Sequence, residues 1–128
     1  MARRKILRHI FRFHGLRDSF GYAAKGIIYL FLYHRNMRLI FMFGLVAFAL
    51  GLSFQLSGLE LSILCISITL VFMAEIFNTA IEMLMNMCTA KFHARIKLVK
   101  DIAAAVVLLT SLNAVAVGSI LFLRKLLK

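Results

Sequence analysis

The sequence contains no proline and no tryptophan, and its 128 residues include only two cysteines and five acidic residues. Without proline, nothing in the chain forces a kink into a helix. No segment rich in proline, glycine or serine divides the chain, so a single domain over residues 1–128 is predicted. Cys65 and Cys88 lack the spacing and the histidine partner of a metal site, and we interpret them as packing residues.

The shortage of acidic residues leaves a large positive charge. Sixteen Lys and Arg residues face five Asp and Glu residues, which gives a net charge of +11. In a soluble protein this balance would suggest nucleic acid. This chain is also strongly apolar, so its charge indicates anionic lipid headgroups and phosphorylated ligands instead. We predict a membrane partner and no nucleic-acid partner.

Long apolar segments make up most of the chain. Hydrophobic residues account for 62% of it and the mean hydropathy is +0.92, against roughly 45–50% apolar residues in soluble domains. The apolar residues gather in three stretches, which predict transmembrane helices at 39–56, 59–88 and 102–123. The second stretch would be about 45 Å long as a helix and would project beyond the bilayer. Residues 89–101 are predicted to be a loop.

Residues 1–38 mix basic and apolar side chains, which is typical of a segment at the membrane surface. The segment lacks the continuous apolar core and the cleavage site of a signal peptide. From Phe20 to Phe31 the apolar residues recur at helical spacing, with Asp18 or Ser19 as a candidate N-cap. The predicted fold class is an all-α membrane protein, a bundle of three transmembrane helices plus an N-terminal amphipathic interfacial helix.

The distribution of Lys and Arg predicts the orientation. Nine of these residues precede the first span, none lies between Gly51 and Glu60, and four lie between Cys88 and Asp101. The positive-inside rule therefore places the N-terminus and the loop 89–101 in the cytoplasm. The basic C-terminal residues Arg124, Lys125 and Lys128 run against this assignment and are outnumbered.

Two of the few acidic residues, Glu75 and Glu82, fall within the second span, where a carboxylate is costly unless it is paired, liganded or hydrated. Together with Asn78 and Thr79 they follow helical spacing and share one face. The two carboxylates are roughly 10 Å apart along the helix axis, too far to share one metal ion unaided. This spacing suits one carboxylate taking a proton while the other holds a magnesium–phosphate group. A purely structural role, bridging helices, stays open.

A second polar cluster, Lys97, Lys100 and Asp101, precedes the third span. Lys100 can contact phosphate oxygens as a point charge. The two clusters together fit phosphoryl transfer, which needs a positioned hydroxyl, a base, a divalent metal and cations on the phosphates. The alternatives are an interfacial anchor for the lysines and an N-cap role for Asp101.

Four segments resemble the signature of the prokaryotic diacylglycerol kinase family, which comprises small membrane-bound diacylglycerol and undecaprenol kinases. They are Glu75-Ile-Phe-Asn78-Thr79-Ala80-Ile81-Glu82, Lys100-Asp101-Ile102-Ala103-Ala104-Ala105, Phe20-Gly-Tyr-Ala23-Ala24-Lys25-Gly26 and Arg35-Asn36-Met37-Arg38. The resemblance covers roughly residues 17–123 in the family's order and spacing. The residues of these motifs are closer to those of the undecaprenol kinase branch.

The resemblance implies a homotrimer in the bacterial inner membrane that uses ATP and Mg²⁺ to phosphorylate a lipid hydroxyl at the cytoplasmic interface. It implies that Glu75 is the general base and that Asn78 supports it in the active site. It implies that Glu82 is a metal ligand and that the metal is shared with the position occupied by His34. It assigns Lys100, Asp101 and Lys25 to the nucleotide.

Three positions depart from the family's pattern. His34 and Asn86 replace a glutamate and an aspartate, and Lys91 stands where an acidic residue is common. Magnesium prefers oxygen ligands, so these changes predict weaker metal affinity or turnover. A family member without catalysis, acting as a membrane or lipid-binding protein, is the second hypothesis. A small transporter is the third, and it is disfavoured because Glu75 and Glu82 lie toward one end of their span.

Overall fold

The computed structural model describes residues 15–88 and 94–128, which form four α-helices and contain no β-strand. The helices are α1 (Leu16–Tyr33), α2 (Arg35–Ser53), α3 (Gly58–Cys88) and α4 (Ala94–Leu126). Helices α2, α3 and α4 are long and apolar enough to cross a membrane. The predicted all-helical membrane fold with three spans is therefore confirmed. Residues 1–14, the first part of the predicted interfacial segment 1–38, lie outside the described residues.

The chain divides into two compact units, Met1–His34 and Arg35–Lys128. In the first unit, α1 begins after Gly15, whose carbonyl accepts a hydrogen bond from the Asp18 amide at 2.7 Å. The predicted N-cap at Asp18 or Ser19 is thus wrong, because the helix starts before both residues. Asp18 lies instead in the first turn, where a carboxylate interacts favourably with the helix dipole.

In the second unit, a tight turn joins α2 to α3. Gln55 adopts a left-handed conformation with φ of 55°. The amides of Leu56 and Gln55 bond back to the carbonyls of Gly51 and Leu52 at 3.1 Å each. This is the Schellman arrangement that closes a helix C-terminus, with glutamine at the position that glycine usually takes.

Ser57 and Glu60 start α3 through a reciprocal pair of hydrogen bonds. The Ser57 amide donates to Glu60 Oε2 at 2.8 Å, and the Glu60 amide donates to Ser57 Oγ at 3.2 Å. This capping box satisfies amide groups that a helix start leaves without partners. Helix α3 therefore begins directly after Ser57, close to the predicted start at residue 59, and Glu60 lies in its first turn.

Helix α3 is central and packs against both α2 and α4. Contacts between the start of α3 and the end of α4, such as Glu60 Oε2 to Lys125 Nζ at 3.7 Å, show that these two helices run antiparallel. On the other side, Gly44 and Gly51 of α2 lie two turns apart and let α3 approach closely. Such small residues are typical of close helix packing in membranes.

We expect Gly44→Ala to destabilise the packing of α2 on α3 by about 1–3 kcal/mol, the usual cost of overpacking. A Cβ at this position would lie 2.9 Å from Ile68 Cγ2, which is a branched methyl group that cannot swing aside. Thermal unfolding in detergent measures the effect. Gly118→Ala is the matched control, since a Cβ there meets nothing within 4 Å. Equal melting temperatures for the two variants would contradict the close contact.

Helix limits differ from the predicted span limits mainly at α4. The segment predicted as a loop, 89–101, is helical from Ala94 onward, ahead of the predicted span at 102–123. Hydropathy detects the apolar part of a helix, whereas the backbone hydrogen bonds of a helix continue through charged residues such as Lys97 and Lys100. Similarly, α2 begins at Arg35, before the predicted start at residue 39.

Candidate functional site

The polar face of α3 is buried. Glu75, Asn78 and Thr79 retain 5%, 9% and 2% of their surface exposure, and Glu82 is half-buried. The four residues follow one another at intervals of three or four, so the helix alone places them on one side. The structure thus shows the predicted shared face, with the carboxylates of Glu75 and Glu82 two helical turns apart.

The side chain of Asn78 has an unused acceptor. Its Oδ1 atom is buried and receives no hydrogen bond from any described residue. A buried polar atom without a partner costs about 1–3 kcal/mol. A ligand or water molecule that supplies a donor removes this cost. The position next to Glu75 is therefore suited to a group that carries an O–H or N–H.

Glu75 is the most deeply buried carboxylate among the described residues. No Lys, Arg or His within residues 15–88 and 94–128 forms an ion pair with it. Within the part of the chain that the structure describes, no salt bridge therefore holds its carboxylate oxygens in place.

An apolar cavity of about 400 Å³ lies between α2, α3 and α4. Val71, one turn before Glu75, is among its lining residues, together with Phe43 of α2 and Ala114 of α4. The cavity extends along α3 from Val71 toward Leu64, away from Glu82. The apolar space therefore begins one helical turn from Glu75, which is not itself a lining residue.

Lys100 is brought to α3 by a direct contact. Its Nζ atom donates a hydrogen bond to Asn86 Oδ1 at 2.5 Å. Asn86 follows Glu82 by one helical turn, so the ammonium group of Lys100 lies at the same end of α3 as the Glu82 carboxylate. The structure thus places a cation at the end of the polar face where the metal is predicted to bind.

Asp101 is not part of this contact, although it follows Lys100 directly in the sequence. Its Oδ2 atom pairs with Lys97 Nζ at 2.6 Å, and both side chains are well exposed, at 58% and 59%. Adjacent residues on a helix point about 100° apart, which separates Asp101 from Lys100. An exposed pair of this kind contributes only about 0.2–1 kcal/mol, so a ligand could readily compete for either side chain.

Lys25 and His34 belong to the unit Met1–His34. Lys25 is exposed on α1. His34 ends this helix, with its amide bonded to the Leu30 carbonyl at 2.9 Å and its ring 6.0 Å from the ring of Tyr29. The metal site predicted for His34 together with Glu82 would join the two units, and it stays a prediction.

No group of three potential metal ligands among His, Cys, Asp and Glu occurs in the part of the chain that the structure describes. Magnesium often binds proteins through one or two carboxylates, and water and substrate phosphates complete its coordination. The half-buried carboxylate of Glu82 fits that limited role. It does not by itself form a closed metal site.

Sequence reasoning noted Asn86 as a departure from the family pattern but missed its contact with Lys100. Asn86 lies two residues before the last residue of α3, and Lys100 lies six residues after the first residue of α4. The two residues are therefore not equidistant from the connection. Their contact depends on how the two helices pack, which no pattern in the sequence shows.

Comparisons with known proteins find relatives over most of the chain. The family model described as "Prokaryotic diacylglycerol kinase" matches residues 21–122. A diacylglycerol kinase of Synechocystis sp. is 34% identical over 110 residues, which cover 85% of this chain and 63% of that protein. An undecaprenol kinase of Bacillus subtilis is 32% identical over 108 residues, which cover 84% of this chain and 88% of that protein. The chain thus spans less than two thirds of the Synechocystis relative.

Proposed function

The chain belongs to the prokaryotic diacylglycerol kinase family, and from this membership we propose that it transfers a phosphoryl group from ATP to the hydroxyl group of a membrane lipid. One observation on the molecule supports the proposal most. The buried Glu75 and Asn78 lie on the same helix face as Glu82, and Lys100 is held at the Glu82 end of that face.

In the proposed reaction, Glu75 acts on the acceptor. The lipid hydroxyl oxygen forms a bond to the terminal phosphorus of ATP, and the bond from that phosphorus to the bridging oxygen of ADP breaks. Glu75 takes the hydroxyl proton as general base. The unpartnered Oδ1 atom of Asn78 holds a donor group in place beside it. Burial of this pair excludes water, which would otherwise compete with the lipid as acceptor.

The nucleotide is proposed to bind at the opposite end of the polar face from the acceptor. Glu82 would provide a carboxylate oxygen to Mg²⁺, with His34 at the second metal position. Lys100, Asp101 and Lys25 would contact the nucleotide. When bound, the metal neutralises phosphate charge during the transfer.

The setting of this reaction follows from the basic residues and the family. We propose the bacterial inner membrane, with the N-terminus and the Glu82 end of α3 on the cytoplasmic side, where the positive-inside rule puts them. We also propose a homotrimer, on the basis of the resemblance. The apolar cavity that begins one helical turn from Glu75 supports a lipid acceptor, because it offers room for a hydrocarbon chain.

The relatives name two candidate acceptors, diacylglycerol and undecaprenol. The deciding experiment measures ATP-dependent phosphate transfer by the purified protein in mixed micelles with magnesium, with each lipid offered separately. Transfer to one lipid is the expected result and identifies the substrate class. No transfer to either lipid from a folded oligomer at high magnesium would contradict the proposal.

A second candidate function is a membrane or lipid-binding protein without catalysis. A histidine at position 34, where the family pattern has a glutamate, favours it. His34→Glu distinguishes the two functions. In an active kinase with a weakened metal site, the added carboxylate should lower the magnesium concentration for half-maximal rate, by about tenfold for 1.4 kcal/mol of improved binding. A magnesium titration of the transfer rate provides the measurement, and His34→Gln, which adds no charge, is its control.

A further inference from the structure

The partner of Lys100 is neutral. Its ammonium group donates to the amide oxygen of Asn86 at 2.5 Å. No carboxylate within residues 15–88 and 94–128 lies at ion-pair distance from it. The neighbouring acid, Asp101, is paired with Lys97. Lys100 is thus held in position by a hydrogen bond while its positive charge is not compensated by a partner.

An amide and a carboxylate would act differently on this lysine. Both accept the hydrogen bond and fix the ammonium group. A carboxylate would also neutralise its charge, and phosphate oxygens would then be bound by Lys100 only at the cost of displacing that partner. With asparagine at position 86, the positioning remains and the competing negative charge is missing.

We propose that Asn86 is a positioning residue that presents Lys100 as an uncompensated cation to the phosphates of the nucleotide, so that binding of the nucleotide depends little on metal. The inference rests on the proposed function, since it names the nucleotide as the ligand of this site. It also accounts for the asparagine at position 86 in place of the family's aspartate. Lys100 neutralises negative charge on the phosphates that a metal ion would otherwise neutralise.

The test is equilibrium binding of a fluorescent ATP analogue to the full-length protein in neutral detergent, without lipid acceptor and without phospholipid phosphate. Each protein is titrated once in EDTA and once in magnesium. For the wild type we expect dissociation constants within about threefold of each other, a difference below 1 kcal/mol.

Asn86→Asp keeps the shape and the acceptor and adds the charge. We expect metal-free binding to weaken about tenfold and binding in magnesium to weaken about threefold or less, because the metal offsets the added charge. Near-normal binding in magnesium also shows that the variant is folded. Asn86→Leu removes the acceptor without adding charge, and it should weaken binding by a similar factor of about two to three in both conditions.

Met87→Asp is the matched control. It adds the same charge one residue further along α3, on a side chain that is 82% exposed and points about 100° away from Asn86. We expect little change in metal-free binding. Metal-free binding by Asn86→Asp at the wild-type affinity would overturn the inference, and so would an equal loss in Met87→Asp.

The design separates this inference from the proposed function. Binding that depends on Asn86 as described, without phosphate transfer to any lipid, supports the inference and overturns the kinase. Lipid phosphorylation together with nucleotide binding that Asn86→Asp leaves unchanged would support the kinase and overturn the inference. A wild-type protein that binds no nucleotide in either condition would refute both.

Discussion

Replacing Glu75 with glutamine should abolish lipid phosphorylation while the helical bundle stays intact. Loss of a general base typically lowers the rate by about 10²- to 10⁴-fold. Glutamine has the same shape as glutamate and cannot take the hydroxyl proton. Because Glu75 forms no ion pair with a described residue, its replacement leaves no buried cation without a partner. The expected loss is therefore catalytic and not structural.

Transfer to the accepted lipid, measured at saturating ATP and magnesium, checks this expectation, and size-exclusion chromatography in detergent checks assembly. Glu60→Gln is the matched control, because it makes the same chemical change in the first turn of the same helix. Glutamine can keep the capping box with Ser57. A Glu75→Gln protein as active as the wild type would exclude Glu75 as the base.

The polar face of α3 could be predicted from the sequence because it needs only helical periodicity. Glu75, Asn78 and Glu82 are separated by three and four positions, so a single helix places them on one side. The burial of Glu75 and Asn78 also follows from the sequence, because polar side chains within an apolar span almost always face the interior of the helical bundle. The structure adds what periodicity cannot give, namely that the Oδ1 atom of Asn78 has no described donor.

The position of Lys100 could not be predicted in the same way. The sequence presents Lys100 and Asp101 as one unit, and the resemblance assigns both to the nucleotide. The structure turns Lys100 toward Asn86 and pairs Asp101 with Lys97. Which of two neighbouring residues faces another helix depends on the rotation and register of that helix. Both are set by packing over its whole length and not by local composition.

The basic C-terminal residues that run against the predicted orientation also have a structural explanation. Lys125 Nζ lies 3.7 Å from Glu60 Oε2 and 3.4 Å from the Gln55 carbonyl oxygen, and Arg124 Nη1 lies 3.9 Å from Glu60 Oε1. Two of the three cations are thus placed against the carboxylate of Glu60. Counting charges along the chain treats them as free, whereas antiparallel packing of α3 and α4 gives them a shared counter-charge.

Replacing Glu82 with glutamine should raise the magnesium concentration needed for half-maximal transfer by at least about tenfold, since even outer-shell changes at metal sites cost 10–100-fold in affinity. Magnesium is a hard cation that binds a charged carboxylate oxygen much better than a neutral amide. Glu82 is half-buried at the Lys100 end of the face, where solvent can reach it and where we propose that the nucleotide binds. A magnesium titration of the initial rate measures the shift.

Magnesium should rescue Glu82→Gln but not Glu75→Gln. A protein that lacks only a metal ligand should recover most of its rate when magnesium is raised, whereas a protein that lacks the base should not recover at any magnesium concentration. Glu60→Gln again controls for loss of one negative charge from α3. An unchanged magnesium titration for Glu82→Gln would remove Glu82 from the metal site. Rescue of both variants by magnesium would mean that the two carboxylates, two turns apart, share one role instead of dividing proton transfer from metal binding.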